Sequence, residues 1–239
     1  MAYTFQFGAL AQYQHELMSG IWLTIKLSVL SILFGSLAGT LLASVRSING
    51  GTVRFLVDAY VEIIRNTPFL IQLFIVYFGM PGLGIRVSAD TAALIGMTIN
   101  LAAYSTEIIR AGIEAVHKSQ IEAGEALGFT RFQIYRHVII VPAITKVYPA
   151  LCSQFVLMML ASSICSAIST HELAASAAFV ESQTYRSFEV YIVVTLIYLV
   201  LALALRAVLA LVGLWLFGRR VARRTLATKP VSAVSEVSA

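Results

Sequence analysis

The sequence has little charge and few of the residues that build reactive centres. Charged residues make up 12% of the 239 positions, against about a quarter in ordinary soluble domains. Hydrophobic residues reach 59%, which excludes a typical water-soluble domain. The two cysteines, Cys152 and Cys165, lie in one apolar run and are expected to be inert packing residues.

Sets of residues that could carry chemistry are missing as well. No glycine-rich phosphate loop is present, so this chain is expected not to hydrolyse ATP itself. The histidines are scattered, with no partners at metal-ligand spacing: His15, His117, His137 and His171. We therefore expect a non-catalytic chain with no cofactor or metal of its own. A membrane-embedded enzyme is a remote alternative.

The chain does have long apolar runs. A spanning helix needs about 20 mostly apolar residues, and suitable runs lie at about 21–45, 55–80, 88–109, 141–168 and 190–217. They predict an all-α membrane protein, a bundle of about five transmembrane helices in a single domain over 1–225. The first run is too long for a cleavable signal peptide and lacks a small-residue cleavage site.

The basic residues indicate how the bundle is oriented. A net charge of +5 could suggest nucleic acid, but the arginines cluster at the ends of apolar runs, which is a topology signal. Arg46 and Arg54 flank one turn, and Arg219, Arg220, Arg223 and Arg224 follow the last run. Placing both groups in the cytoplasm predicts an external N-terminus, a cytoplasmic C-terminus and no nucleic-acid partner. Residues 169–188 then form a polar outer segment, and 226–239 a disordered cytoplasmic tail.

A polar island between the third and fourth runs has the sequence signals of two short helices. Ser119 and Glu122 have capping-box spacing, good helix formers follow through Leu127, and Gly128 suits a left-handed helix end. Thr130 and Gln133 repeat the capping box before Pro142 interrupts the next run. The pattern predicts a coupling loop over 119–137, with a short helix held across the end of a longer one.

The second run contains a polar interruption. Glu62 and Arg65 precede Pro68, which removes a backbone hydrogen bond, and Gln72 follows deeper in the run. Two interpretations stand about even on the residues alone. One is a kinked helix with a Glu62–Arg65 ion pair; the other is a bend that shapes a transport path, with Gln72 as a ligand contact.

Further polar residues in the third and fourth runs could line a path. Small hydroxyls in spans usually serve helix packing, but a polar seam could also supply hydrogen bonds to a zwitterion. The candidates are Tyr104, Ser105, Ser153, Gln154, Ser162 and Ser163. Glu107, Arg110 and Glu114 form one charged helical stripe, expected to be a solvated helix end.

The polar island resembles the EAA loop of ABC importer permeases. The matching residues are Glu122-Ala123-Gly124, then Gly128 and an aliphatic run to Pro142. The resemblance implies that Glu122, Ala123, Gly124, Leu127 and Gly128 form a coupling helix that docks on an ATPase subunit. The sequence departs from the family in having Gly124 where alanine is usual, and one extra residue between Gly128 and Pro142.

Two other segments resemble the polar amino-acid importer permeases, which handle histidine, glutamate, glutamine, arginine and opines. They are Glu-x-x-Arg-Asn-Thr-Pro at 62–68 with Tyr-Phe-Gly-Met-Pro at 77–81, and Ala-Tyr-Ser-Thr-Glu-Ile-Ile-Arg-Ala-Gly-Ile at 103–113. Where relatives often have Lys-Asp-Thr-Ser-Leu, this chain has Leu-Ala-Ser-Ser-Ile at 160–164. The missing aspartate predicts that a cationic side chain is not recognised there.

The resemblance implies the rest of the transporter. It implies a bacterial inner-membrane, multi-pass subunit in which two permease chains, identical or related, form the path. An ATPase dimer would bind ATP and Mg, and a periplasmic or lipid-anchored binding protein would deliver an amino acid. The alternative is a stand-alone secondary transporter or channel for small zwitterions; it would predict paired intramembrane charges or inverted repeats, and neither is evident.

Overall fold

The computed structural model describes residues 5–48 and 50–217, and these residues are helical almost throughout. In chain order the helices are α1 (Gln14–Ile48), α2 (Gly51–Arg65), α3 (Phe69–Gly82), α4 (Ala89–Glu114), α5 (Lys118–Ala126), α6 (Arg131–Gln133), α7 (Val141–Ala161), α8 (Leu173–Thr184) and α9 (Ser187–Phe217). A 3-10 helix, Phe7–Tyr13, precedes α1; a π-helical segment, Ile134–Ile140, joins α6 to α7; and a 3-10 segment, Ser162–Ile168, continues α7.

The number of long apolar helices confirms the predicted membrane bundle. Four helical stretches are long and apolar enough to cross a membrane, and a fifth is added if α2 and α3 form one broken span. The arginines beyond 217 and the predicted tail at 226–239 lie outside the described residues.

Helix α4 lies at the centre of the bundle and packs against α1, α2, α3 and α7. Small residues on α1 let it approach α4 closely, and Gly35, Gly39 and Ala43 are buried. A Cβ on Gly39 would lie 2.5 Å from Ser105 Cβ and 2.9 Å from the Ala102 carbonyl oxygen. The α1–α4 contact at this level therefore requires glycine.

The predicted second span, 55–80, is not one continuous helix but is divided at the proline where a kink or bend is predicted. The chain breaks after Arg65, and α2 and α3 meet at an angle of 107°. Pro68 adopts an extended conformation (ψ 135°) and is the N-cap of α3. Because proline cannot donate the hydrogen bond that would continue α2, the helix ends and a new one begins.

Two further expectations are corrected beyond α5. Pro142 does not interrupt the helical run, which continues from the π-helical segment into α7. The π-helical segment directly before Pro142 changes the backbone hydrogen-bonding pattern where the proline N–H is missing. The polar segment 169–188 contains helix α8. Glu172 caps it, and Leu173, Ala177 and Val180 are buried within a cluster that also includes residues of α1 and α9.

Candidate coupling helix and transport cavity

Helix α5 begins differently from the prediction. His117, and not Ser119, is the N-cap, and its Nδ1 accepts a hydrogen bond from the Ser119 N–H at 3.3 Å. The Ser119 hydroxyl lies 2.8 Å from the same ring nitrogen. The Ser119–Glu122 capping box is therefore wrong: the helix starts two residues earlier, so Ser119 is already inside it.

The end of α5 confirms the glycine prediction. Gly128 has φ +76°, its N–H donates to the Glu125 carbonyl at 2.9 Å, and the Phe129 N–H donates to the Gly124 carbonyl at 3.1 Å. These two bonds form a Schellman motif, which needs a residue in the left-handed region. The turn that follows α5 is thus fixed by backbone hydrogen bonds.

The second capping box is confirmed. The Thr130 N–H donates to Gln133 Oε1 at 2.8 Å, and the Gln133 N–H donates to Thr130 Oγ1 at 3.3 Å. Two sharply defined boundaries, Gly128 and Thr130, therefore separate α5 from the helix that continues into α7.

Most of α5 is exposed. Gly124 is its buried residue, and a Cβ there would lie 3.3 Å from Ile134 Cγ1 and 3.5 Å from Val138 Cγ2. An alanine here, as is usual in the family, would require the Ile134 side chain to shift by a few tenths of an ångström. Glu122, Ala123 and Leu127 face outward, with Leu127 74% exposed. The helix is therefore held to the bundle along one side and offers the other side, with a large apolar residue, to a partner.

Hydrogen bonds from Gln72 hold the break between α2 and α3. Its Nε2 donates to the Ile64 carbonyl at 2.7 Å, to the Thr67 carbonyl at 3.0 Å and to Thr67 Oγ1 at 2.8 Å. Its Oε1 accepts from Asn100 Nδ2 on α4 at 2.9 Å. Gln72 thus donates hydrogen bonds to carbonyl groups that lose their helical partners at the break, and it connects the break to α4. The predicted contact of Gln72 with a ligand stays a prediction.

Charged residues link α1, α2 and α4 at one end of the bundle, which we call the arginine end because it carries Arg46, Arg54, Arg65 and Arg110. Arg46 pairs with Asp58 and, at 3.3 Å, with Glu114. Arg110 donates to both oxygens of Glu107, at 2.8 and 2.5 Å, and pairs with Glu114 at 2.5 Å. The stripe Glu107–Arg110–Glu114 is thus part of an ion-pair network and more than a solvated helix end.

The Glu62–Arg65 ion pair of the kinked-helix interpretation is not formed. Arg65 Nη1 instead lies 3.5 Å from Glu107 Oε1, and its guanidinium carbon lies 5.6 Å from the centre of the Tyr104 ring. Within the described part of the chain, Glu62 makes no ion pair. A cavity of about 520 Å³ opens beside these side chains, lined by residues of α1, α2 and α4.

The remaining path candidates are placed differently. Ser105 faces α1, where it is fully buried and its hydroxyl has no hydrogen-bond partner among the residues that the structure describes. Ser162 is buried and Ser163 partly exposed, and their hydroxyls donate to the carbonyls of Met159 and Leu160. Ser153, one of the exposed residues of α7, donates to the Pro149 carbonyl, and Gln154 is half-buried.

Some of the path candidates lie on elements that contact one another. The 3-10 segment with Ser162 and Ser163 contacts α3 and α4, which carry Gln72 and Tyr104. Of the seven candidates only Tyr104 borders the cavity at the arginine end. Two charged residues of the cavity, Glu62 and Arg65, belong to the 62–68 segment that resembles the polar amino-acid importer permeases, but the sequence does not indicate them as path residues. Among the described residues, no cluster of His, Cys, Asp and Glu could hold a metal ion.

A helical membrane bundle with a broken span and an exposed short helix across one end defines a membrane permease. The chain belongs to the family described as the binding-protein-dependent transport system inner membrane component, which matches residues 31–218. This confirms the resemblance to ABC importer permeases. The alternative of a stand-alone transporter or channel is therefore rejected.

Named relatives and solved structures agree with this membership. The chain is 37% identical to a glutamine transport system permease protein, GlnP, of Rickettsia bellii, over 78% of this chain and 86% of the relative. It is 38% identical to a glutamine ABC transporter permease protein, GlnM, of Bacillus subtilis, over 79% and 87%.

A crystal structure of an amino acid ABC transporter with histidines matches with a TM-score of 0.81 at 37% identity, over 88% of this chain and 99% of that chain. An inward-facing structure of the MetNI methionine ABC transporter matches with a TM-score of 0.69 at 22% identity, over 85% and 97%. The second similarity is one of fold alone.

Proposed function

We propose that this chain is the permease of a bacterial inner-membrane importer for a polar, uncharged amino acid, with glutamine as the first candidate. The observation that carries the proposal is α5: an exposed helix, ended by a Schellman turn, across the arginine end of a permease bundle. The names of the relatives support an amino-acid cargo.

In this proposal α5 couples the bundle to an ATPase dimer that binds ATP and Mg. Glu122, Ala123, Leu127 and Gly128 form the contact surface, while Gly124 holds the helix against the start of the long α7 run. ATP binding closes the ATPase dimer, α5 moves with it, and the path opens outward to receive substrate from a binding protein. A second permease chain completes the path.

The proposed orientation follows the arginines. Arg46, Arg54, Arg65 and Arg110 lie at the same end as α5, and the positive-inside rule supports a cytoplasmic location for this end and an external N-terminus. Labelling checks it. In a variant without the native cysteines, a membrane-impermeant maleimide added outside should modify Tyr185→Cys, which replaces a 90% exposed side chain at the opposite end. Phe129→Cys should react only after the membrane is opened; the reverse pattern would contradict the orientation.

Uptake by the reconstituted transporter tests the function. The permease, its ATPase and its binding protein in liposomes should take up radiolabelled L-glutamine only with ATP and Mg. Arginine and lysine should compete poorly, because the segment 160–164 has no carboxylate. Absence of ATP-dependent uptake of any amino acid would contradict the proposal. A strong cationic preference that is lost in Ser162→Ala would contradict the predicted selectivity.

A further inference from the structure

Two opposite charges on α2, Glu62 and Arg65, do not pair with each other. Glu62 and Arg65 are three residues apart on one helix, a spacing that brings oppositely charged side chains within reach of each other. The structure leaves this pair unformed, and both side chains border the cavity of about 520 Å³. That volume lies within the roughly 300–1,000 Å³ of small-molecule sites.

Arg65 is the most loosely held of the cavity's arginines. Arg110 makes hydrogen bonds of 2.8 and 2.5 Å to the Glu107 carboxylate, and Arg46 bonds to both oxygens of Asp58. Arg65 reaches Glu107 at only 3.5 Å, and its side chain is 39% exposed. Its planar fork of N–H donors is therefore available to another carboxylate, which it could bind through two parallel hydrogen bonds.

Glu62 supplies the complementary charge. It is exposed to the cavity and has no ion pair within the described residues. Its carboxylate can accept hydrogen bonds from an ammonium group, and the nearby Tyr104 ring gives the cavity an aromatic wall. A guanidinium and a carboxylate on one side of a cavity match the two charged groups that every free amino acid carries.

We propose that Glu62 and Arg65 bind the α-ammonium and α-carboxylate of an amino acid at the arginine end of the path. This inference rests on the proposed function and adds a substrate site to it. The bound carboxylate replaces the distant Glu107 oxygen on Arg65, while Arg110 keeps Glu107 in place. Because both charged groups are partly solvated, binding is weak, which suits a site from which substrate leaves.

Analogues that lack one charged group test each contact separately. The probes are L-glutamine, 4-aminobutanamide, which lacks the α-carboxylate, and glutaramic acid, which lacks the α-ammonium. Their binding is measured by titration of the purified permease–ATPase complex without nucleotide or binding protein. Wild type should bind L-glutamine roughly three- to tenfold more tightly than either analogue, the range for partly exposed charge-assisted hydrogen bonds.

Each variant should remove one discrimination and keep the other. Arg65→Gln should bind L-glutamine and 4-aminobutanamide equally, yet still prefer L-glutamine to glutaramic acid; Glu62→Gln should show the opposite pattern. Arg65→Lys keeps the charge without the fork and should fall between, and it replaces Arg65→Gln if that variant does not fold. Arg54→Gln is the matched control, because Arg54 lies on the same helix but does not line this cavity.

The outcomes separate this inference from the proposed function. If wild type imports glutamine but both variants discriminate among the probes as wild type does, the site is refuted and the importer remains. Equal losses for all three probes in both variants would indicate a structural effect and would also refute the site. If wild type imports no amino acid, the proposed function fails and the site falls with it.

Discussion

Substitution of Gly128 should uncouple ATP hydrolysis from transport in proportion to the backbone strain. A Cβ at this position would meet no atom of residues 5–48 and 50–217 within 4 Å, so side-chain size itself creates no clash with them. The cost arises from φ +76°, a region that disfavours residues with a Cβ by about 1–2 kcal/mol. Asparagine tolerates this region best, alanine less well, and the β-branched valine worst.

The strain acts on a helix that has little else to hold it. A residue that leaves the left-handed region loses the bonds from Gly128 N–H to Glu125 and from Phe129 N–H to Gly124. A cost of 1–2 kcal/mol changes the population of the ordered turn roughly 5- to 30-fold. We therefore expect the loss of coupling to increase from the asparagine variant to the alanine variant and to be greatest for valine. The helical bundle should stay folded in all three variants, because α5 is mostly exposed.

The assay is the ATPase rate of the reconstituted complex, with and without substrate-loaded binding protein. Stimulation should stay near wild type for Gly128→Asn, fall for Gly128→Ala and be smallest for Gly128→Val, while membrane insertion is unchanged in all three. Gly79→Val is the matched control, since a Cβ there also meets nothing within 4 Å and the glycine has no positive φ. Full stimulation in Gly128→Val, or equal loss in Gly128→Asn, would refute the role of backbone strain.

Three further predictions concern the bundle itself. Gly39→Ala should lower the free energy of unfolding in detergent by about 1–3 kcal/mol, since its Cβ would lie 2.5 Å from an α4 side chain; Gly79→Ala should not lower it. Gln72→Leu should cost about 1–3 kcal/mol for each buried polar group left without a partner. Adding Asn100→Leu should recover part of that loss, and additive losses would argue against a shared network. Burial raises the pKa of the Glu172 carboxyl, so the folded chain holds its proton where the unfolded chain has lost it. The free energy of unfolding should therefore fall as pH rises through that interval, and an unchanged pH dependence in Glu172→Gln would contradict this.

Features set by neighbouring residues could be predicted from the sequence. Apolar runs of spanning length indicated the bundle, and the positions of Gly128 and of the Thr130–Gln133 capping box are as expected. Each depends on interactions within a few residues, which sequence spacing reports directly. The start of α5 was misjudged because the imidazole of His117 can accept the same kind of capping hydrogen bond as a serine hydroxyl.

Features set by distant residues could not be predicted. The bend at Pro68 is held by Gln72, which is bonded to Asn100, a residue 28 positions further along the chain than Gln72. The sequence therefore indicates a kink but not its angle. Arg65 finds Glu107 across the cavity instead of its neighbour on α2. Helix α8 is not indicated by the sequence, because a spanning helix needs about 20 residues and α8 is only 12 residues long. Its small apolar residues were the available signal.

Site-specific crosslinking from α5 tests the central claim most directly. A photoreactive amino acid at Leu127, the exposed C-cap residue of α5, should crosslink to the ATPase subunit in native membranes. The same amino acid at Tyr185, which is 90% exposed at the opposite end, should give no such product. Crosslinking to the ATPase from Tyr185 but not from Leu127 would contradict the proposal that α5 transmits the motion of the ATPase to the bundle.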